Sequence, residues 1–252
     1  MRTNRLIVIA LAALAAFPVA GCGSEEGDDE QGQKLPQGSE KVDLNPADFT
    51  TDIDNPYWPM KPGSRWIYRE TDSEGAEQRV KVTVTDRTKR IANGVEARVV
   101  RDEVTEDGEP VEITDDWYAQ DKEGNIWYLG EKTTEYENGK PTTTAGSFEA
   151  GVDGAQPGII MPAEPRVGLT YRQEYHAGEA EDRGEIVSLH EQVEVPFGHF
   201  RDALMTKDLN PLEPKVLEFK FYARGVGPVL AISVSGGSDR EELVRYSAGG
   251  RR

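Results

Sequence analysis

Arg79-Val80-Lys81-Val82-Thr83-Val84-Thr85 alternates apolar and polar residues, and after Asn93-Gly94 the pattern resumes as Val95-Glu96-Ala97-Arg98-Val99. Period two is the signature of a half-buried strand, and Asn-Gly between two such runs is a hairpin signal. The same grammar runs outward in both directions. Trp66 and Tyr68 alternate with polar neighbours, as do Leu217, Phe219 and Phe221, and then Leu230, Ile232 and Val234. Turn pairs punctuate these runs at Asp107-Gly108, Gly124-Asn125, Asn138-Gly139 and Gly236-Gly237. No segment keeps a 3.6-residue apolar stripe for ten residues, and the 15 prolines would interrupt one. The body from Asp48 to Ser247 therefore reads as one all-β, antiparallel domain.

The runs also repeat. Gly63 is echoed by Gly168, 105 residues later, while Gly94 is echoed by Gly198 and Tyr118-Ala119 by Tyr222-Ala223, each 104 residues later. A shared spacing at three landmarks predicts two similar β-meander halves, about residues 56–130 and 162–236, joined by Glu131–Met161. About 75 residues make a marginal independent core. The halves are therefore expected to pack as one barrel-like or sandwich body. Within the connection, the Gly/Pro-rich stretch Gly151–Pro162 reads either as a lid or as a crossover that fills one end.

The N-terminus is an address. Arg2 and Arg5 precede an apolar run, Leu6–Phe17, which is too short to span a bilayer as a permanent helix. Val19-Ala20-Gly21-Cys22 follows and resembles the lipobox of bacterial lipoproteins, in which the cysteine thiol receives a diacylglyceryl group and the chain is cleaved before it. Residues 1–21 are then a lipoprotein signal peptide. Residues 22–47 are the acylated (palmitate-type) Cys22 and a disordered acidic linker, rich in Glu and Asp with almost nothing apolar. Residues 248–252 are a frayed tail. Two acyl chains anchor a protein stably without a spanning helix, so the expected location is the cell membrane, lipid-anchored, on its extracytoplasmic side.

Composition closes several doors. The chain has 252 residues, 29 Lys and Arg against 46 Asp and Glu, and a formal net charge of −17. Losing Arg2 and Arg5 with the signal takes that charge to −19. Such a balance argues against nucleic acid as a partner, because phosphate binding needs clustered cations. A lone Cys supports neither an intrachain disulfide nor a cysteine zinc site. Gly-x-Ser-x-Gly, Walker and dinucleotide fingerprints are missing. The expectation is no cofactor and no enzyme.

Asn55–Trp66, Trp117–Asn125 and Pro157–Ala163, in that order, resemble a group of uncharacterised secreted or lipid-anchored bacterial proteins, mostly from high-GC Gram-positive organisms. The resemblance implies an envelope location and one domain, and it brings no reaction.

Two clusters are candidate sites. Trp66, Tyr68, Trp117 and Trp127 would line an apolar ligand cavity if the body is hollow, and would otherwise be ordinary core. Glu174, His176, Glu181 and Asp182 would face one another across a hairpin turned at Gly178, as oxygen and imidazole ligands for a metal or as an acid–base pair. The plain reading of that cluster is a solvated hairpin tip. Asp121–Asn125 has the alternating oxygens of a calcium loop but lacks its later ligands, so it reads as a hairpin turn. The leading functional expectation is a non-enzymatic binding or carrier module for a small apolar ligand or an envelope component. Its alternatives are a structural or protein-interaction lipoprotein without ligand, and a hydrolase using Glu174, His176 and Glu181.

Overall fold

The alternating segment Arg79–Thr85 forms the middle of a fourteen-residue strand in the computed structural model, which describes residues 34–72 and 75–250. The signal segment and the acylation candidate Cys22 lie outside the described residues. Sixteen strands pair antiparallel in one sheet. In the first half these are β1 (Phe49–Thr50), β2 (Arg65–Thr71), β3 (Glu77–Arg90), β4 (Glu96–Glu106), β5 (Glu109–Asp121), β6 (Ile126–Glu137), β7 (Lys140–Thr143), β8 (Phe148–Glu149) and β9 (Gln156–Met161). In the second they are β10 (Thr170–Arg172), β11 (Glu174–Tyr175), β12 (Arg183–Val195), β13 (Gly198–Leu209), β14 (Leu217–Ala223), β15 (Gly227–Ser235) and β16 (Arg240–Ser247).

The order β10-β12-β13-β14-β15-β16-β2-β3-β4-β5-β6-β9-β11 explains the architecture. Its two ends, β10 and β11, are separated in sequence by Gln173 alone. The segment Thr170–Tyr175 is one strand shared between two neighbours, its first part paired to β12 and its second to β9. The sheet thus curls into a nearly closed barrel of twelve strand positions, counting β10 and β11 as one. Eight strands leave an interior just filled by side chains, and the diameter grows with strand number, so twelve leave a lumen.

The duplication is visible strand by strand. Moving β2, β3, β4 and β5 forward by 104 or 105 residues lands on β10–β11, β12, β13 and β14, in the same meander order. Trp117-Tyr118-Ala119 and Phe221-Tyr222-Ala223 are buried triplets at matching places. Asp121–Asn125 is a hairpin turn, closed by Gly124 N–H donating to Asp121 C=O at 3.0 Å with Gly124 at φ +98°.

Three boundaries differ from the sequence reading. The linker is docked from Leu35 onward: Leu35 is 5% exposed, and the Arg172 N–H donates to Pro36 C=O at 2.6 Å. The Arg172 guanidinium, itself 1% exposed, donates to the carbonyls of Gly38, Glu40 and Pro157. This strap covers the edge of β10 that β9 leaves unpaired, a standard remedy for an open sheet edge. Its low apolar content misleads because backbone carbonyls hold it, helped by the buried Leu35 and the Gln37 side chain. Second, Gln156–Met161 is neither lid nor linker but β9, the strand that closes the ring, with Ile159 and Met161 completely buried. Third, the tail is packed as far as Gly249, whose N–H donates to Ser64 Oγ at 2.8 Å.

The seam needs glycine on both sides. A Cβ on Gly158 would lie 2.2 Å from the Gln173 carbonyl oxygen, and one on Gly184 would lie 2.6 Å from the Tyr171 ring. No side chain fits there without separating the strands.

Candidate functional site

Strand parity fixes what faces the lumen. Cross-strand partners Trp66↔Val82↔Asp102↔Thr114 point inward together, as do Lys220↔Ala231↔Glu241↔Glu70. Together with the segment 53–60, these rows enclose a partly open cavity of about 340 Å³. One end is capped. Asn55 donates to Gly124 C=O at 3.0 Å, Gly225 N–H donates to Pro56 C=O at 2.8 Å, and the Arg224 guanidinium lies 4.3 Å over the Tyr57 ring. From this cap Trp58 reaches in and packs against Tyr118 at 5.7 Å and Tyr222 at 6.0 Å between ring centroids. Tyr118 stacks in turn on Tyr128 at 5.0 Å. The result is a wall of aromatic faces above a layer of charged groups.

Only part of the predicted aromatic set lines this cavity. Trp66 and Tyr68 do, anchored by Trp66 Nε1–H to Val226 C=O at 2.8 Å and by Tyr68 O–H to Pro228 C=O at 3.0 Å. Trp117 and Trp127 do not. Lys89 Nζ sits 4.4 Å over the Trp117 ring, and Trp127 donates Nε1–H to Asp121 at 2.8 Å while meeting Phe49 edge-on. Both lie on the outer face, under the flanking segments. Their neighbours Tyr118 and Tyr128 are the inward residues, and with Trp58 and Tyr222 they are the aromatics that sequence reasoning missed. The signal was available, since adjacent residues of a strand point to opposite faces.

The hairpin cluster is divided by the fold. Its turn does fall at Gly178, where the N–H donates to the Glu181 carboxylate at 2.9 Å. His176 bridges Ala180 through its backbone, and its Nδ1 is buried without a hydrogen-bond partner. Glu174 and Asp182 line the lumen, whereas Glu181 is spent on the turn. Glu174, His176, Glu181 and Asp182 therefore do not converge on one point, and no group of three or more His, Cys, Asp or Glu side chains is arranged to hold a metal among the described residues. His190, on β12, is exposed on the surface beside Asp202 at 3.3 Å.

The charged layer is the unexpected element. Asp102, Glu131, Glu174, Asp182, Lys220 and Glu241 all line the cavity. Burial, then repulsion from Glu112, pushes the Asp102 carboxyl up to about 7. Burial lifts Glu131 to about 7, and burial with the nearby Asp102 lifts Glu241 to about 8. Glu174 and Asp182 are both raised by burial, and Glu174 further by Asp182. These side chains are half-buried; burial is the largest cause of each shift, and like charge adds to it.

Two local arrangements show that crowding directly. Asp116 and Glu131 are cross-strand partners, and both carboxylates share the single Tyr128 hydroxyl, at 2.8 and 3.0 Å. One hydroxyl has one proton to donate, so holding both contacts calls for a protonated carboxyl on one side. Glu70 and Glu241 are likewise directly opposite on β2 and β16. The lysine offsets this layer only in part, lowering Glu174, Asp182 and Glu241 against the larger effect of burial. Lys220 Nζ is engaged by Asp208 at 2.9 Å and Glu218 at 3.1 Å. Burial alone would lower its pKa, but these two carboxylates hold it well above the usual lysine value.

No protein-family model matches the chain, and no curated protein matches it. Among solved structures it is similar to one described as "a putative lipoprotein from Parabacteroides distasonis", at 12% identity and a TM-score of 0.41, over 76% of this chain and 98% of that one. The class that the fold and cavity define is a twelve-position antiparallel barrel with a lumen large enough for a small molecule.

Proposed function

We propose that the protein is a lipid-anchored binding protein of the cell envelope that carries a small molecule in the barrel lumen. The observation that carries this reading is the cavity of about 340 Å³ walled by Trp58, Trp66, Tyr118 and Tyr222, at the small end of the range for ligand sites. Aromatic faces above a few polar groups give apolar contact area plus orientation. Of the two ligand classes expected from the sequence, a small apolar ligand fits poorly, because the lower layer of the lumen is charged. The anchor rests on the lipobox at Cys22, and that residue is 11 positions before the last residue ahead of the described chain, Gln33. The strap is docked from Leu35, so the contour from Cys22 to the docked chain is at most about 45 Å.

Two measurements test this reading. In a native host, Cys22→Ser releases the protein from the membrane fraction, whereas retention of the variant in that fraction overturns the anchor. Native mass spectrometry of detergent-free protein shows a small-molecule adduct that Ala231→Trp, which fills the lumen, abolishes. An adduct that survives Ala231→Trp overturns the lumen as the carrier site.

A further inference from the structure

The inner face of the barrel collects more negative charge than it can balance. Asp116 opposes Glu131 and Glu70 opposes Glu241, both as direct cross-strand pairs, where like charges are destabilising. The Oδ1 atoms of Asp102 and Asp182 are shielded from solvent and have no hydrogen-bond partner. Buried polar atoms are usually paired, and an orphan acceptor in a cavity points to a donor that arrives from outside. Lys220, the cavity's one lining cation among the described residues, is already committed to Asp208 and Glu218. Above this layer lie the faces of Trp58, Tyr118 and Tyr222, which attract cations through their quadrupoles. A bare metal ion suits the site poorly, since the acids do not converge as a ligating group.

We propose that the lumen binds a small organic cation: an ammonium group seated among Asp102, Glu174, Asp182 and Glu241, on an apolar body held by the aromatic wall. This proposal rests on the reading of the lumen as a ligand site and names the chemistry of what enters it. Charge-assisted hydrogen bonds from ammonium to carboxylate are about twice as strong as neutral ones, and a cation relieves the mutual repulsion of the acids. Burial first, and that repulsion second, raise the carboxyl pKa values of Asp102 and Glu241. Cation binding draws them back down, so complex formation releases protons.

The test is isothermal calorimetry with 2-phenylethylamine and its neutral isostere 2-phenylethanol, on the mature chain. The amine binds at least about tenfold more tightly than the alcohol at pH 8, a gap of about 1.4 kcal/mol. Its affinity falls from pH 8 to pH 5 as the acids take up protons. Asp102→Asn with Glu174→Gln lowers amine affinity about tenfold and leaves the alcohol unchanged; Glu131→Gln serves if that pair fails to fold. Equal affinity for amine and alcohol, with both lost in Ala231→Trp, overturns the cation while leaving the lumen site standing. Binding of either probe that is indifferent to Ala231→Trp overturns the lumen site itself. Competitive displacement of the amine by micromolar calcium overturns the proposal in favour of a metal, and no amine binding at millimolar concentration overturns it outright.

Discussion

β2 and the segment Thr170–Tyr175 hold equivalent places in the two halves, and they have opposite fates. β2 is seven continuous residues, paired along its length to β16 on one side and β3 on the other. Its counterpart breaks at Gln173 into pieces of three and two residues, each serving a different neighbour. A repeated meander can supply the same strand twice, but closing a ring requires one strand to reconcile two registers. The second copy takes that role. It is compensated by glycines on both sides and by the strap over the exposed edge. A similar divergence occurs inside. Asp116 and Lys220 stand 104 residues apart, each two positions before the inward tyrosine of its half. One is an acid facing another acid; the other is a cation held by two acids.

The sharpest way to break the first contrast is Gly158→Val at the seam. With its Cβ site 2.2 Å from a carbonyl oxygen, this change should cost about 4 kcal/mol or more, because backbone cannot yield as a side chain can. Lys81→Ala, on the exposed face beside β2, should cost less than about 0.5 kcal/mol. Denaturant midpoints compare the two, and equal costs would erase the distinction between seam and wall.

Next in size is the contrast between Asp116 and Lys220. Lys220→Met strands Asp208 and Glu218 without their cation and should destabilise by about 2–4 kcal/mol. Asp116→Asn should act with the opposite sign, raising stability by about 1 kcal/mol at pH 8 through relief of the repulsion with Glu131. A loss of stability from both would mean that the lumen acids are individually required for folding.

A smaller shift is expected from pH. Asp102, Glu131 and Glu241 have folded-state values of about 7, 7 and 8, above their unfolded values. Between pH 4 and pH 8 the folded state therefore binds more protons than the unfolded one, and stability falls as pH rises. Because these side chains are half-buried, the observable change is moderate: a melting temperature roughly 5 °C higher at pH 5 than at pH 8. A flat or opposite profile would show that the acids are already compensated. A small effect is also expected from Gln37→Ala, which removes the strap's contacts with Thr170 at 2.6 and 2.9 Å and should cost about 0.5–1 kcal/mol.

The class of fold was legible because alternation and turn residues are local signals, and the repeat because three landmarks kept their spacing. The cavity was legible only in outline. Alternation at Asp102, Asp116 and Glu131 tells that a strand has two different faces, but in a hollow barrel the charged face need not be the outer one. Reading Trp117 instead of Tyr118 as a lining residue is that same ambiguity, resolved only when the curl of the sheet is known. The strap escaped notice for another reason: its partners are the guanidinium and backbone of Arg172, 132 or more residues away in the chain. No local pattern advertises an interaction of that span.

The strap also decides where mechanical load enters the molecule. Any pull on the chain ahead of Lys34 arrives first at Leu35–Glu40, and from there at Arg172 and the split strand. Tension entering through this end meets the split strand before β2 and the long strands around it.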